Sequence, residues 1–110
     1  MADINNITVS GRLGKEPKGV EFQSGGQKAT FFIAVNRWDS LNNKEVADWF
    51  HIEAVGCKAK YILGYANQGD FITLSGQLRT KEYVDEETLV KRVFTYINLQ
   101  ECKIFPKTAK

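Results

Sequence analysis

The chain has 110 residues, with 43% hydrophobic and 25% charged side chains, one histidine and two cysteines. That length suits one domain, and these ordinary fractions exclude a wholly disordered or fibrous chain. No apolar run approaches the roughly 20 residues of a membrane span, and residues 1–6 lack the basic and apolar parts of a secretory leader. Two cysteines are too few for a disulfide framework or a zinc knuckle, so a reducing, intracellular compartment is expected. Lys and Arg number 15 against 13 Asp and Glu, and the excess sits in residues 101–110. Any charged binding face must therefore come from placement, not from net charge.

The pattern along the chain is mostly that of strands. Ile7, Val9 and Leu13 recur at odd positions with Gly11 between them, the period of a half-buried strand. Residues 14–19, with Lys15, Glu16 and Pro17, read as a turn, and Ser24-Gly25-Gly26 as a second. Residues 28–37 make the second strand, rich in aromatic and β-branched side chains such as Phe31, Phe32, Ile33 and Val35. A polar loop follows over 38–45. The third strand covers 49–55, with Phe50, Ile52 and Ala54 on one face and Trp49, His51, Glu53 and Val55 on the other.

Ala59, Ile62, Leu63 and Ala66 fall at i, i+3, i+4 and i+7, an apolar helical stripe. Asn67-Gln68-Gly69 stops it, with Gly69 as left-handed cap. Gly64 within it costs roughly 1 kcal/mol against Ala, so tertiary packing has to hold the helix. Residues 71–78 make the fourth strand, with Ile72, Leu74 and Leu78 on one face, and Asp85-Glu86-Glu87 marks an acidic loop tip. The last strand covers 91–104. Its apolar phase shifts from Ile97 and Leu99 to Cys102 and Ile104, which predicts a bulge near Glu101.

Three strands, one helix and two strands are the order of an all-β OB-fold, a five-stranded Greek-key β-barrel with its short helix between strands three and four. An antiparallel sandwich would leave the helix without a place. Gly11, Gly56 and Gly76 are positioned where barrel strands bend sharply.

Several segments are recognisable. Ile7-Thr8-Val9-Ser10-Gly11-Arg12-Leu13-Gly14-Lys15-Glu16-Pro17 resembles the opening of the bacterial single-stranded DNA-binding protein family. So do residues 29–37, and Asp48-Trp49-Phe50 leading to Val55-Gly56. Gly69-Asp70 and Gly76-Gln77-Leu78-Arg79-Thr80-Lys81 are similar to its fourth strand. The likeness runs from about Ile4 to Ile104. It implies an OB-fold domain over 4–105, commonly a homotetramer, that binds single-stranded DNA without sequence preference in replication, recombination and repair. It also implies an intracellular setting, the bacterial cytoplasm or nucleoid or else an organelle such as a plastid, with RNA as the alternative strand.

Such binding needs aromatic platforms for bases and cations beside them for phosphates. Stacking tolerates any sequence because every base has a π-face, and in single-strand-binding OB-folds themselves it is worth about 1–3 kcal/mol per base. Trp38 lies in the polar loop beside Arg37. Trp49 falls where the family carries an aromatic at the start of strand three, and Tyr83 where one follows Leu-Arg-Thr. Arg12, Arg37, Arg79 and Lys81 are the accompanying cations, with Lys91 and Arg92 across the loop. Each has a plainer reading: a Trp at a strand start packs a rim, and a lone surface cation is simply solvated. Phe31, Phe32, Phe50, Phe71 and Phe94 read most simply as core or subunit contacts.

The chain also departs from the family. Cys57 follows Gly56, and Asn67-Gln68 precedes Gly69, where basic residues are usual; Val55 replaces an aromatic. Glu53, on the face of Trp49, and the acidic tip at Asp85, Glu86 and Glu87 are both expected to oppose phosphate. The family's acidic C-terminal tail is replaced by a short basic end over 106–110, as in a truncated chain or a short paralogue. The alternative function is therefore an OB-fold protein-interaction subunit with weak or lost DNA binding. Catalysis is not expected. His51 stands alone without metal-ligand spacing, no nucleophile or phosphate-loop motif appears, and no cofactor is implied. Cys57 and Cys102 read as small buried hydrophobes.

Overall fold

The computed structural model describes residues 3–23 and 25–106, so Ser24 and most of the basic end (107–110) lie outside the described residues. The elements are β1 (Ile7–Leu13), β2 (Lys18–Glu21), β3 (Gln27–Asp39), β4 (Lys44–Val55), α1 (Cys57–Tyr65), β5 (Phe71–Val84) and β6 (Lys91–Phe105). The sheet runs β1-β5-β6-β4-β3-β2, and a further pairing of β1 with β3 at Arg12↔Ala34 and Leu13↔Ile33 closes it. Strands β1, β3, β4, β5 and β6 thus form a closed five-stranded barrel. β4 and β6 pair parallel at Ile52↔Ile97, and the other pairs are antiparallel.

Three stretches outside the strands read from periodicity are strand. β2 pairs Lys18↔Thr30 through Glu21↔Gln27, and all four of its residues are exposed, so no alternation betrays it. The β3–β4 hairpin continues to Asp39↔Lys44, which puts Trp38 on a strand instead of in the loop. The Asp39 carboxylate ties its turn by accepting from the Leu41 N–H at 3.1 Å and the Asn42 Nδ2 at 2.8 Å. β5 runs past Leu78 to Val84, paired with β6 as far as Val84↔Lys91. These arms leave the barrel with water on both faces, which is why their sequences carry no apolar period.

Inside, β3 contributes Ala29, Phe31 and Ile33, β4 Ile52 and Ala54, β5 Ile72 and Leu74, and β6 Ile97 and Leu99. Helix α1 plugs this core with Ala59 and Ile62, and Ala66 follows at its C-cap. Leu63, expected on that stripe, is half-exposed and packs toward Gly19 of β2. The helix ends in extended backbone at Ala66, and Gly69 takes its positive φ of 89° in the following turn, not as the helix cap. A side chain at Gly11 or Gly76 would overlap the carbonyl oxygen of Ala34 or Asn98, so both glycines permit close strand approach. Gly56 serves differently from expected, as the N-cap of α1 at φ 69° and ψ −131°. The bulge falls at Gln100: Ser75 faces Glu101 and Gly76 faces Leu99. Cys102 is half-buried against the core, whereas Cys57 is exposed, contrary to the reading from sequence.

Candidate nucleic-acid interface

Strand alternation sends every second residue outward. On β3 this exposes Phe32 between buried Phe31 and Ile33, and on β4 it turns Trp49 and His51 away from buried Ile52. β6 presents Phe94 and Tyr96 beside buried Ile97. β5 sets Arg79 opposite Tyr96, Lys81 opposite Phe94 and Tyr83 opposite Arg92. The result is one continuous aromatic surface. The His51 ring meets Phe32 edge-on at 4.7 Å and Phe94 at 4.8 Å, Phe94 and Tyr96 are near parallel at 6.4 Å, and Lys81 Nζ sits 4.6 Å from the Tyr96 ring centre.

Trp49 stands at one end of this surface, 58% exposed. A methyl group at Gly14 would fall 2.5 Å from its Cζ3, so only a glycine lets the indole lie against the β1–β2 loop. Between that loop and the sheet is a cleft of about 630 Å³, lined by Lys15, Lys18, Phe32, Trp49 and His51 among others. That volume lies in the range of small-molecule sites. Tyr83, half-exposed on the β5–β6 arm, stands at the other end.

Glu53 lies under the centre of the face, 6% exposed. Lys81 Nζ approaches its carboxylate at 2.8 Å, Lys28 Nζ at 3.8 Å and His51 Nε2 at 3.3 Å. Burial alone would raise its pKa, but the Lys81 hydrogen bond, the charges of Lys28 and Lys81 and the His51 contact outweigh burial and hold it below 4.5. An acid neutralised by two lysines does not oppose phosphate as the bare sequence suggests. His51 moves below its ordinary 6.5 mainly through burial. Lys81 and Lys28 push the same way, and the Glu53 hydrogen bond and charge only partly offset them.

The residues singled out from sequence separate into groups. Trp49, Arg79, Lys81, Tyr83 and Arg92 lie on or beside this face. Trp38 has the same outward phase, four residues along β3 from Ala34, the register partner of Trp49. Arg12 lies one strand further round, opposite Ala34, with its guanidinium 5.6 Å from the Phe71 ring centre and donating to the Gly69 carbonyl at 3.1 Å. Arg37 points to the other side of the arm from Trp38, its Nε donating to Asp48 at 2.8 Å. Arg79 donates to Gln77, and Arg92 Nε is 3.4 Å from Asp85.

Phe32 and Phe94, which read from sequence as core or subunit contacts, join His51 and Tyr96 on this face, and sequence alone marks none of the four as a site residue. Adjacent Phe31 and Phe32 on one strand must face opposite ways, which was the available signal. Which neighbours Phe32 would meet depended on the barrel. Among the described residues no group of three or more His, Cys, Asp or Glu could hold a metal ion, and no helix is long and apolar enough to cross a membrane.

A closed OB barrel with an aromatic, lysine-braced outer face is the architecture of a single-strand nucleic-acid binder. The chain belongs to the single-strand binding protein family, whose model matches residues 4–105. It is 33% identical over 101 residues to single-stranded DNA-binding protein 1 of Nostoc, covering 92% of this chain and 82% of that one. The corresponding protein of Synechocystis is also 33% identical, over 77% of this chain and 69% of its own. The fold superimposes on a Plasmodium falciparum SSB solved in complex with ssDNA, with a TM-score of 0.83, 24% identity and 96% of each chain covered.

Proposed function

We propose that the chain binds single-stranded DNA without sequence preference, with residues 4–105 as the binding domain. Bases stack on Trp38, Trp49 and Tyr83, and Arg12, Arg79, Lys81 and Arg92 meet phosphates. Arg37, paired with Asp48 on the opposite side, contributes at most from the rim. The observation that carries this reading is the unbroken run of outward rings from Phe32 through His51 and Phe94 to Tyr96, between Trp49 and Tyr83. A surface of rings with lysines between them suits bases joined by phosphates, and the family relationship agrees. The work fits replication, recombination and repair inside the cell, and needs no cofactor and no catalysis.

The same reading includes a homo-oligomer, a tetramer by analogy with the family. It is supported by the edge of β1, where Ile7 to Gly11 pair with β5 only, and by the half-buried ring pair Phe71–Phe105 on the outer surface nearby. Open strand edges and apolar patches are what a symmetric partner covers.

A second reading, an interaction subunit with weak DNA binding, draws on a specific observation. Arg37, Lys81, Lys91 and Arg92 are all already paired with carboxylates. Titrating tryptophan fluorescence with oligo(dT) at about 50 and about 200 mM salt decides between them. Saturable quenching that weakens with salt supports the first, and unchanged fluorescence at high micromolar DNA supports the second.

A further inference from the structure

We propose that His51 is a proton-operated element of the single-strand site, taking up a proton as the strand binds, so that affinity rises as the solution becomes more acidic. This inference rests on the single-stranded DNA reading and deepens it. His51 lies in the wall of the cleft beside Trp49, with ring edges of Phe32 from β3 and Phe94 from β6 packed on it. Its Nε2 is 3.3 Å from the ionised Glu53, so in the neutral ring that nitrogen carries the hydrogen and donates it. Nδ1 is then a bare acceptor, buried and without a hydrogen-bond partner among the described residues.

The charges around the ring determine the direction. Lys28 from β3 and Lys81 from β5 face it beside Glu53 of its own strand, and Lys15 and Glu16 of the β1–β2 loop and Lys18 of β2 line the same cleft. Glu53 therefore opposes two lysines beneath the face, and the cleft adds two cations against one acid. An imidazolium in this setting meets an excess of positive charge, and its new Nδ1–H has no acceptor. The free protein accordingly keeps the ring neutral. A strand lying along the face reverses the first condition, because its phosphates cancel the excess positive charge around the ring. Whatever favours the protonated ring in the complex must, by linkage, make protonation favour the complex.

The chain has one histidine, the only side chain type that ordinarily titrates between about pH 5 and 8, so the assignment can be tested cleanly. Proton NMR of the single imidazole in the intact chain, free and saturated with oligo(dT), is the first measurement. The expected result is a midpoint higher in the complex. The second is oligo(dT) affinity from about pH 7.5 to 5, expected to rise about three- to tenfold, the change that a pKa difference of ~0.5–1 unit produces. His51→Gln should flatten that rise, and His51→Arg should bind at pH 7.5 as tightly as the parent protein does near pH 5. An imidazole midpoint unmoved by DNA, or the same pH slope in His51→Gln, overturns the inference while leaving single-strand binding standing. Absence of binding at every pH overturns both.

Discussion

The centre of the outer face and the arms that extend from it use similar residues in opposite ways. In the centre, Lys81 is fixed between a buried Glu53 and the Tyr96 ring, and the aromatic rings touch one another. On the arms, Trp38 and Tyr83 are 59% and 51% exposed, and the ion pairs Arg37–Asp48 and Lys91–Glu82 stand in water. The centre offers a surface of rings packed on one another, and the arms offer rings that stand in water. Exposed ion pairs are screened and weak, whereas a carboxylate with an 8% exposed side chain depends on its partners.

The sharpest way to break this contrast is to remove one charge from each region. Glu53→Gln removes the charge that holds Lys28 and Lys81 and should cost about 2 kcal/mol in urea unfolding, while Asp48→Asn on the β3–β4 arm should cost under about 1 kcal/mol. Equal losses would mean that the centre is no better braced than the arms. Next in size, Trp49→Ala and Trp38→Ala should each weaken oligo(dT) binding by roughly 1–3 kcal/mol with circular dichroism unchanged. Gly14→Ala refines this: it displaces the Trp49 ring without removing it and should weaken binding by about 1 kcal/mol, with a changed Trp49 emission. Parent-like binding by that variant would detach Trp49's position from its role.

Acid should act on the centre first. His51 has a folded pKa below 6.5, so the unfolded chain takes the proton more readily, and stability is full above 6.5 and falls as pH drops toward the folded value. Glu53, held below 4.5, adds stability above that value and loses it as pH falls through it. Unfolding midpoints should therefore decline in two stages, and His51→Gln should lack the upper one. The smallest effect belongs to the β5–β6 arm. Replacing Asp85, Glu86 and Glu87 together by Gln releases Arg92 from Asp85 and should tighten binding a few-fold, mainly at low salt, where the screening length exceeds about 10 Å. Equal affinity at low salt would place that loop away from the strand.

The period-2 runs of buried residues, the helical stripe at Ala59, Ile62 and Ala66, and the phase shift before Cys102 were legible because each follows from one element burying one face. They were enough to place the barrel and its helix in the chain, and the bulge to within a residue. The ends of the arms were not legible, because strands with water on both faces carry no pattern, and so Trp38 and its neighbours read as loop. The candidate site was legible in part. Local resemblance points to Trp49 and Tyr83, but the reading of Glu53 as an acid opposing phosphate reverses once it is seen against Lys81. Residues 28 positions apart had to meet at 2.8 Å before a repelling acid became a clamp on a lysine. Sequence by itself determined which side chains leave the core, since alternation is a property of the strand alone. Only the closed barrel decided which of them touch, because contacts across β3, β4, β6 and β5 are set by register and strand order. The charge and accessibility of His51, Glu53 and Lys81 depend on those contacts and not on the local chain.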